Sequence, residues 1–269
     1  RRPDRNPRPM EWLWSRWPDV EEKIERSEHT LLLLDYDGTL APIAPSPKLA
    51  TLPPATKSVL QSLSQSSKVT IVLISGRSLL ELRRLVGLPS LTYVGNHGLE
   101  VWREGRRAAV AVHKTSREAI GLIRPRLAKL AAAVPGASLE YKGLSVCLHY
   151  RLVPRDQVAR LKAAFRREVL PLARPPVLTV LKGKKVIEVR PGLNWTKGHA
   201  VMRLMKRLGR PSLLPIYIGD DRTDEDVFGA LTEGLTIRVG AHRRSKARYY
   251  VRGVREVLQF LEWILARYA

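Results

Sequence analysis

An α/β core with a parallel sheet, interrupted by an inserted α+β segment, is the fold class this 269-residue sequence predicts. Three observations carry it. Short apolar runs, too brief for helices, end at polar or glycine residues. Helical stretches alternate with those runs near both ends of the chain. In the middle third the alternation breaks, and strands follow one another directly.

Leu31–Leu34, bounded by Asp35 and Gly38, reads as the first buried strand. Val69–Ile74, ended by Ser75-Gly76, and Leu91–Val94, ended by Gly95-Asn96, read as the next two. Helices are expected around Ala55–Leu63 and Leu79–Val86 between them. The same grammar returns later: helix Thr196–Leu208, strand Leu213–Ile218, helix Asp224–Leu231 and strand Leu235–Val239. Val254, Val257, Leu258, Leu261, Ile264, Leu265 and Tyr268 share one face of a final helix. The middle reads as helix His113–Ala133, strands Ser138–Lys142 and Ser145–Arg151, and a helix carrying Val158, Leu161, Phe165 and Val169. Strands Val177–Leu181 and Lys185–Arg190 follow, with Lys182-Gly183-Lys184 as their hairpin turn. The expected boundaries are an N-terminal extension at 1–27, a core at 28–111 and 190–269, and an insertion at 112–189. Arg1–Pro9, rich in Arg and Pro, is expected to be disordered, and Trp12, Trp14 and Trp17 to form a helix packed on the core.

Composition excludes several classes. The apolar runs are far short of a bilayer span, and the basic start leads into Trp12-Leu13-Trp14 and then charges, not a secretory leader. Cys147 is the single cysteine, which excludes an internal disulfide framework and fits a reducing, cytoplasmic setting. A net charge of +22 raises nucleic-acid binding. However, 16 of the 47 basic and 5 of the 25 acidic residues lie between Val112 and Val189, so half the excess sits in the insertion and half elsewhere. It forms neither a tail nor one basic helix, and no aromatic-plus-basic stacking motif accompanies it. A field around a site for an anionic substrate accounts for it equally well, and no specific nucleic acid is expected.

Asp35 and Asp37 follow the first strand, and strand periodicity puts them on one side of the chain. Asp220, Asp221 and Asp224 follow another strand, and the carboxyl ends of such strands are where open α/β sheets bind ligands. Carboxylates so gathered suit Mg²⁺. An aspartate after a strand also caps the next turn or helix, and that reading suffices for Asp224 alone. It does not account for the pair, since a cap needs one of them.

Asp35-Tyr36-Asp37-Gly38-Thr39, Ser75-Gly76-Arg77, Lys197 and Gly219-Asp220-Asp221-Arg222-Thr223-Asp224 resemble, in order, the four motifs of the haloacid dehalogenase superfamily of phosphatases. The resemblance implies a Rossmann-like core with a C2-type cap. It implies Asp35 as nucleophile and Asp37 as general acid and base, with Ser75 and Lys197 holding phosphate oxygens. It implies Mg²⁺ held by Asp35, the main chain of Asp37 and Asp220, with Asp221 or Asp224 in support. Taken singly, Ser75 reads as a turn residue and Lys197 as a solvated helix residue.

These motifs do not choose the substrate. Gly95-Asn96-His97-Gly98-Leu99-Glu100, Glu140-Tyr141-Lys142 with His149-Tyr150-Arg151, and Gly183 to Pro191 with Trp195-Thr196-Lys197-Gly198 resemble the trehalose-6-phosphate phosphatase family. The resemblance runs from about His29 to the C-terminus. It implies trehalose 6-phosphate as substrate, and association with a trehalose-phosphate synthase as a partner to test. Glu140, Lys142 and Glu188 become the candidates for reading the distal glucose, with Arg77, His97 and Arg151 as further substrate contacts. A solvated strand face is the alternative for Glu140 and Lys142; for Arg190 a structural ion pair competes with substrate contact. Sucrose 6-phosphate or a glucosylglycerol phosphate remains open as substrate, as does a basic nucleic-acid-associated role or a silent partner of a synthase.

Overall fold

A computed structural model describes residues 9–44, 49–110, 112–183, 185–209 and 212–268. The chain divides into two units, one formed by 1–109 with 195–269 and the other by 110–194.

In the first unit the Leu31–Leu34 run lies within β2 (His29–Leu34), whose residues are all buried. Side chains alternate across a strand, so Leu31 and Leu33 enter the core on one face while Leu32 and Leu34 enter the other. Such a strand must be covered on both sides, which explains its continuous apolar run. β3 (Val69–Ile74), β4 (Thr92–Gly95), β11 (Leu213–Gly219) and β12 (Leu235–Val239) join it in parallel. α2 (Pro54–Leu63), α3 (Leu79–Val86) and α8 (Val254–Tyr268) cover one face. α6 (Lys197–Leu208) and α7 (Glu225–Ala230) cover the other.

Four strands at the sheet edges were not expected. β1 (Glu11–Trp12) and β13 (Tyr249–Val251) pair in parallel at one edge. β5 (Glu100–Arg103) and β6 (Arg106–Ala109) add an antiparallel hairpin at the other. Among the described residues the order is β1-β13-β12-β11-β2-β3-β4-β5-β6. The N-terminal tryptophans therefore differ from the single helix expected. Trp12 is in β1, Trp14 lies in a 3-10 turn, and Trp17 opens α1 (Trp17–Glu25). The expected packing does occur: Trp17 meets Trp14 and Trp263 with ring centroids 4.6 Å apart. The segment expected to be disordered lies, up to Arg8, outside the described residues.

In the second unit, β7 (Ser138–Tyr141), β8 (Val146–His149), β10 (Val186–Pro191) and β9 (Leu178–Gly183) form an antiparallel sheet in that order. α4 (Lys114–Ala132) and α5 (Arg155–Glu168) pack on its apolar face through Ile123, Leu127, Leu161 and Phe165 against Val146, Leu148 and Val189. β10 pairs as far as Pro191, opposite Leu178, so this unit runs a few residues past the expected 189. Of the expected hairpin turn, Lys182 and Gly183 belong to β9, and Lys184 lies outside the described residues. Among the described residues, no helix is long and apolar enough to cross a membrane.

Candidate active site

β2 and β11 are adjacent and parallel, so the residues that follow them emerge side by side at one sheet edge. Asp35 is held there by its own N–H, which donates to the Ile218 carbonyl at 2.9 Å. Lys197 opens α6 and is buried, as are Asp35 and Asp224. Its ammonium donates to Asp35 Oδ1 and Asp224 Oδ1, each at 2.7 Å. Tyr217, on β11, donates to the same Asp224 oxygen at 2.6 Å, and the Asp221 N–H donates to Asp224 Oδ2 at 2.9 Å. Thr39 Oγ1 approaches Asp35 Oδ2 at 3.4 Å.

Asp220 completes the group: one oxygen each from Asp35, Asp220 and Asp224 lies within 4.8 Å of the others. Gly38 makes this approach possible. Its φ of +81° suits glycine, and a Cβ there would collide with the Asp220 carboxylate.

The charges do not balance within this group. Burial pushes Asp35 well above the usual carboxylate range; Lys197 opposes this, while Asp224 and Asp220 add to it. Burial likewise raises Asp220 to about 7, with Asp224 and Asp221 contributing. Burial pulls Asp224 upward too, but Lys197, Tyr217 and the Asp221 N–H outweigh it and hold Asp224 below its ordinary value. Two carboxylates with raised affinity for a proton, all donors being oxygen, form a set that a hard divalent cation satisfies.

The second cluster of predicted residues lies beside this one. Both oxygens of Asp37 accept from Arg77, Nε and Nη2 each donating at 2.7 Å, and Arg77 Nη1 donates to Glu81 at 2.6 Å. Arg77 is buried and sits 5.4 Å from the Tyr36 ring centroid. Its guanidinium thus fixes Asp37, a role other than the substrate contact expected for it. Ser75 ends β3, and its hydroxyl accepts from the Arg77 N–H at 3.2 Å. His97, in the left-handed region at φ 54°, donates its N–H to the Ser75 carbonyl at 3.0 Å. Its ring lies against Gly76, where a Cβ would collide with it.

In the second unit the strand register aligns Glu140, Cys147 and Glu188 in one row across β7, β8 and β10. Glu140 and Glu188 were read from the sequence; Cys147 between them was not. Ser145 donates to Glu188 at 2.6 Å, and His149 Nε2 lies 2.7 Å from Glu140 Oε2. Burial lowers Lys142, but Cys147, Glu188 and Glu140 together raise it above its ordinary value. The sheet therefore has one apolar face under its helices and one face bearing carboxylates and an ammonium.

The family model for trehalose-phosphatase matches residues 33–254. The chain belongs to the trehalose-phosphatase family. A trehalose-phosphate phosphatase of Mycobacterium avium is 34% identical over 235 residues, covering 82% of this chain and 57% of that protein. An uncharacterized glycosyl hydrolase of Mycobacterium tuberculosis is 37% identical over 241 residues, covering 86% of this chain but 18% of its own length. The chain thus spans less than two thirds of either relative. In fold, it is similar to the C-terminal domain of Candida albicans trehalose-6-phosphate phosphatase, with a TM-score of 0.79, 24% identity and coverage of 97% and 99%. A haloacid dehalogenase-like hydrolase from Bacteroides thetaiotaomicron shares the fold at a TM-score of 0.63 and 14% identity, covering 88% and 99%. The α/β core with an inserted α+β unit is the fold class of this family.

Within this family member, two predicted residues stand apart from the clusters. Asp221 is exposed, and its carboxylate accepts from the Arg222 N–H at 2.5 Å, capping the turn that leads to α7. It lies outside the Asp35–Asp220–Asp224 group because the turn needs it. Arg151 sits in an exposed turn after β8. Tyr217 was missed. Its place inside an apolar strand signals core, and the bond to Asp224 becomes visible only when the turn after β11 folds back.

Proposed function

We propose that this chain is a Mg²⁺-dependent phosphatase that hydrolyses trehalose 6-phosphate to trehalose and phosphate, the second step of trehalose formation. The observation that supports this reading best is the buried Asp35–Lys197–Asp224 group beside Asp220, in a member of the trehalose-phosphatase family.

Asp35 attacks phosphorus, the bond to the sugar oxygen breaks, and Asp37 gives that oxygen its proton. Water then attacks the aspartyl-phosphate, with Asp37 taking its proton, and Asp35 is released with phosphate. Lys197 and Ser75 hold the non-bridging oxygens where charge develops. Arg77 holds Asp37 as a carboxylate in this geometry, and at least one of the two bonds must open for Asp37 to carry the proton it gives and then takes back. Mg²⁺, when bound, supplies positive charge that ionises the nucleophile and polarises the phosphoryl group. Asp35 and Asp220 would hold it directly. Asp224 already accepts three short bonds, from Lys197 and Tyr217 on one oxygen and from the Asp221 N–H on the other, so it would support the ion through a water. Phosphate release from a panel of sugar phosphates, with and without Mg²⁺, tests the assignment. A preference for sucrose 6-phosphate, or metal-independent turnover, would overturn it.

Asp220 gives a pH signature. Its value of about 7 in the metal-free protein exceeds the ordinary 3.8, so the folded state binds the proton more tightly than the unfolded state. Metal-free stability should therefore fall as pH rises from about 4 through about 7, by at most roughly 4 kcal/mol. Bound Mg²⁺ favours the ionised form and offsets this loss. The rise in Tm on adding Mg²⁺ should then be larger at about pH 8 than at about pH 5. Equal rises at both would mean that Mg²⁺ displaces no proton from Asp220 on binding.

Glu140, Lys142 and Glu188, on the polar face of the inserted sheet, supply the sugar-reading groups. Glu188→Ala and Lys142→Ala should each cost about 1–3 kcal/mol, or about tenfold to a hundredfold, in kcat/KM for trehalose 6-phosphate. p-Nitrophenyl phosphate has no second sugar, and its hydrolysis should change little. Equal losses on both substrates would assign these residues to the fold or the phosphate site instead.

A further inference from the structure

We propose that the polar face of the inserted sheet holds a second cation site, for a borderline transition metal of the Zn²⁺ kind, ligated by Cys147, His149 and Glu140. Cys147 and His149 are two residues apart on β8, so strand periodicity puts them on one face. Glu140 is the cross-strand partner of Cys147 on β7. The three ligand atoms lie within 4.8 Å of one another, and His149 Nε2 is 2.7 Å from Glu140 Oε2. A tetrahedral zinc centre places its ligand atoms roughly 3.3–3.8 Å apart, so the Glu140–His149 pair must open slightly and the wider separations close by about 1 Å.

The donor types separate this site from the first. Asp35, Asp220 and Asp224 offer only oxygen, which suits Mg²⁺. Sulfur, imidazole nitrogen and a carboxylate together favour Zn²⁺ or Co²⁺, and three protein ligands leave a fourth position for water. Lys142 opposes occupancy, because its ammonium hydrogen-bonds the Cys147 sulfur. Binding thus requires that flexible head group to move aside and the Cys147 thiol to lose its proton to solvent as the metal–sulfur bond forms.

A cation on Glu140 withdraws the oxygen that ligates it from sugar hydroxyls and fixes the orientation of the other. Zn²⁺ should therefore compete with the disaccharide phosphate at saturating Mg²⁺. This consequence rests on the sugar-reading role proposed above, whereas the cation site does not.

The test is a Co²⁺ titration of the full chain in saturating Mg²⁺, followed by absorbance. The expected result is a thiolate-to-cobalt charge-transfer band that saturates at one equivalent and is displaced by Zn²⁺. Cys147→Ser should remove the band while retaining turnover in Mg²⁺ alone. His149→Gln, a second variant in case the first folds poorly, should weaken Co²⁺ by more than about tenfold. In parallel, Zn²⁺ should inhibit trehalose 6-phosphate hydrolysis in the unmodified chain and not in Cys147→Ser, with p-nitrophenyl phosphate spared. Absence of a thiolate band, or unchanged Co²⁺ affinity in both variants, overturns the site. A band that Cys147→Ser abolishes, with no inhibition, upholds the site and removes Glu140 from sugar recognition.

Discussion

Asp35→Asn protein is expected to release no measurable phosphate, a loss of at least about 10⁴-fold, while remaining folded. The amide is a poor nucleophile, and it cannot supply the anionic oxygen that a hard cation needs. The fold should tolerate the change for reasons visible around the side chain. Asp35 is buried, and the pressure on it from Asp224 and Asp220 already favours its neutral form. An amide oxygen can still accept from Lys197, as Oδ1 now does at 2.7 Å. Metal-free stability should thus be unchanged or slightly raised. Two measurements check this: phosphate release at matched circular dichroism, and acid-quench trapping of a phosphorylated enzyme, which should be seen only with Asp35 intact. Turnover retained in Asp35→Asn would sink the covalent mechanism. EDTA should silence the unmodified enzyme reversibly, and restoration by Mg²⁺ would separate loss of metal from loss of nucleophile.

The carboxylate-bearing sheet edge was legible because its signals are local. An apolar run that ends in Asp-x-Asp announces both the strand and the groups at its tip, and the run itself requires covering on both faces. What could not be read depends on partners distant in the chain. Glu11 pairs with Tyr249, and nothing in a two-residue strand such as Glu11–Trp12 carries a period. β6 is Arg-Arg-Ala-Ala and exposed throughout, so no apolar alternation marks it. In the insertion, Glu140 and Glu188 were placed on strands correctly, yet their common row with Cys147 follows only from the register of three strands. Asp221 and Asp224 were indistinguishable as sequence. The turn decides between them, exposing the first as a cap and burying the second against Lys197 and Tyr217.

Lys197→Met should remove activity and, unlike Asp35→Asn, should also unsettle the fold. The ammonium is the shared partner of two buried carboxylates, and methionine matches its length but not its charge. Breaking a buried pair from one side costs about 3–5 kcal/mol, because the remaining charges are left without compensation. The contribution of Asp224 to the pH dependence should reverse as well, adding to the loss with rising pH that Asp220 already brings. In the unmodified chain burial raises Asp224, but Lys197 and the hydrogen bonds prevail and hold it below its ordinary value. A depressed carboxylate contributes stability that is present above the ordinary 3.8 and is lost as pH falls through the lowered value. Without Lys197, only the bonds from Tyr217 and the Asp221 N–H still oppose the burial of Asp224, and Asp35 loses the cation that opposes its own, so both shift towards their protonated forms. A raised carboxylate contributes the opposite slope, so the variant should lose stability as pH rises from about 4 towards neutrality. Urea midpoints of the metal-free variant at about pH 5 and about pH 8 should therefore differ by more than those of the unmodified metal-free chain, the lower pH being the more stable. Mg²⁺ should restore part of the stability at the higher pH, since it supplies positive charge to the same carboxylates. It should not restore turnover, because no group then holds the phosphoryl oxygens from the Lys197 position. A difference no larger than in the unmodified chain, with the midpoints themselves unchanged, would mean that the Asp35–Lys197–Asp224 bridge contributes nothing to the folded state. Retained turnover would mean that the phosphoryl oxygens are held elsewhere.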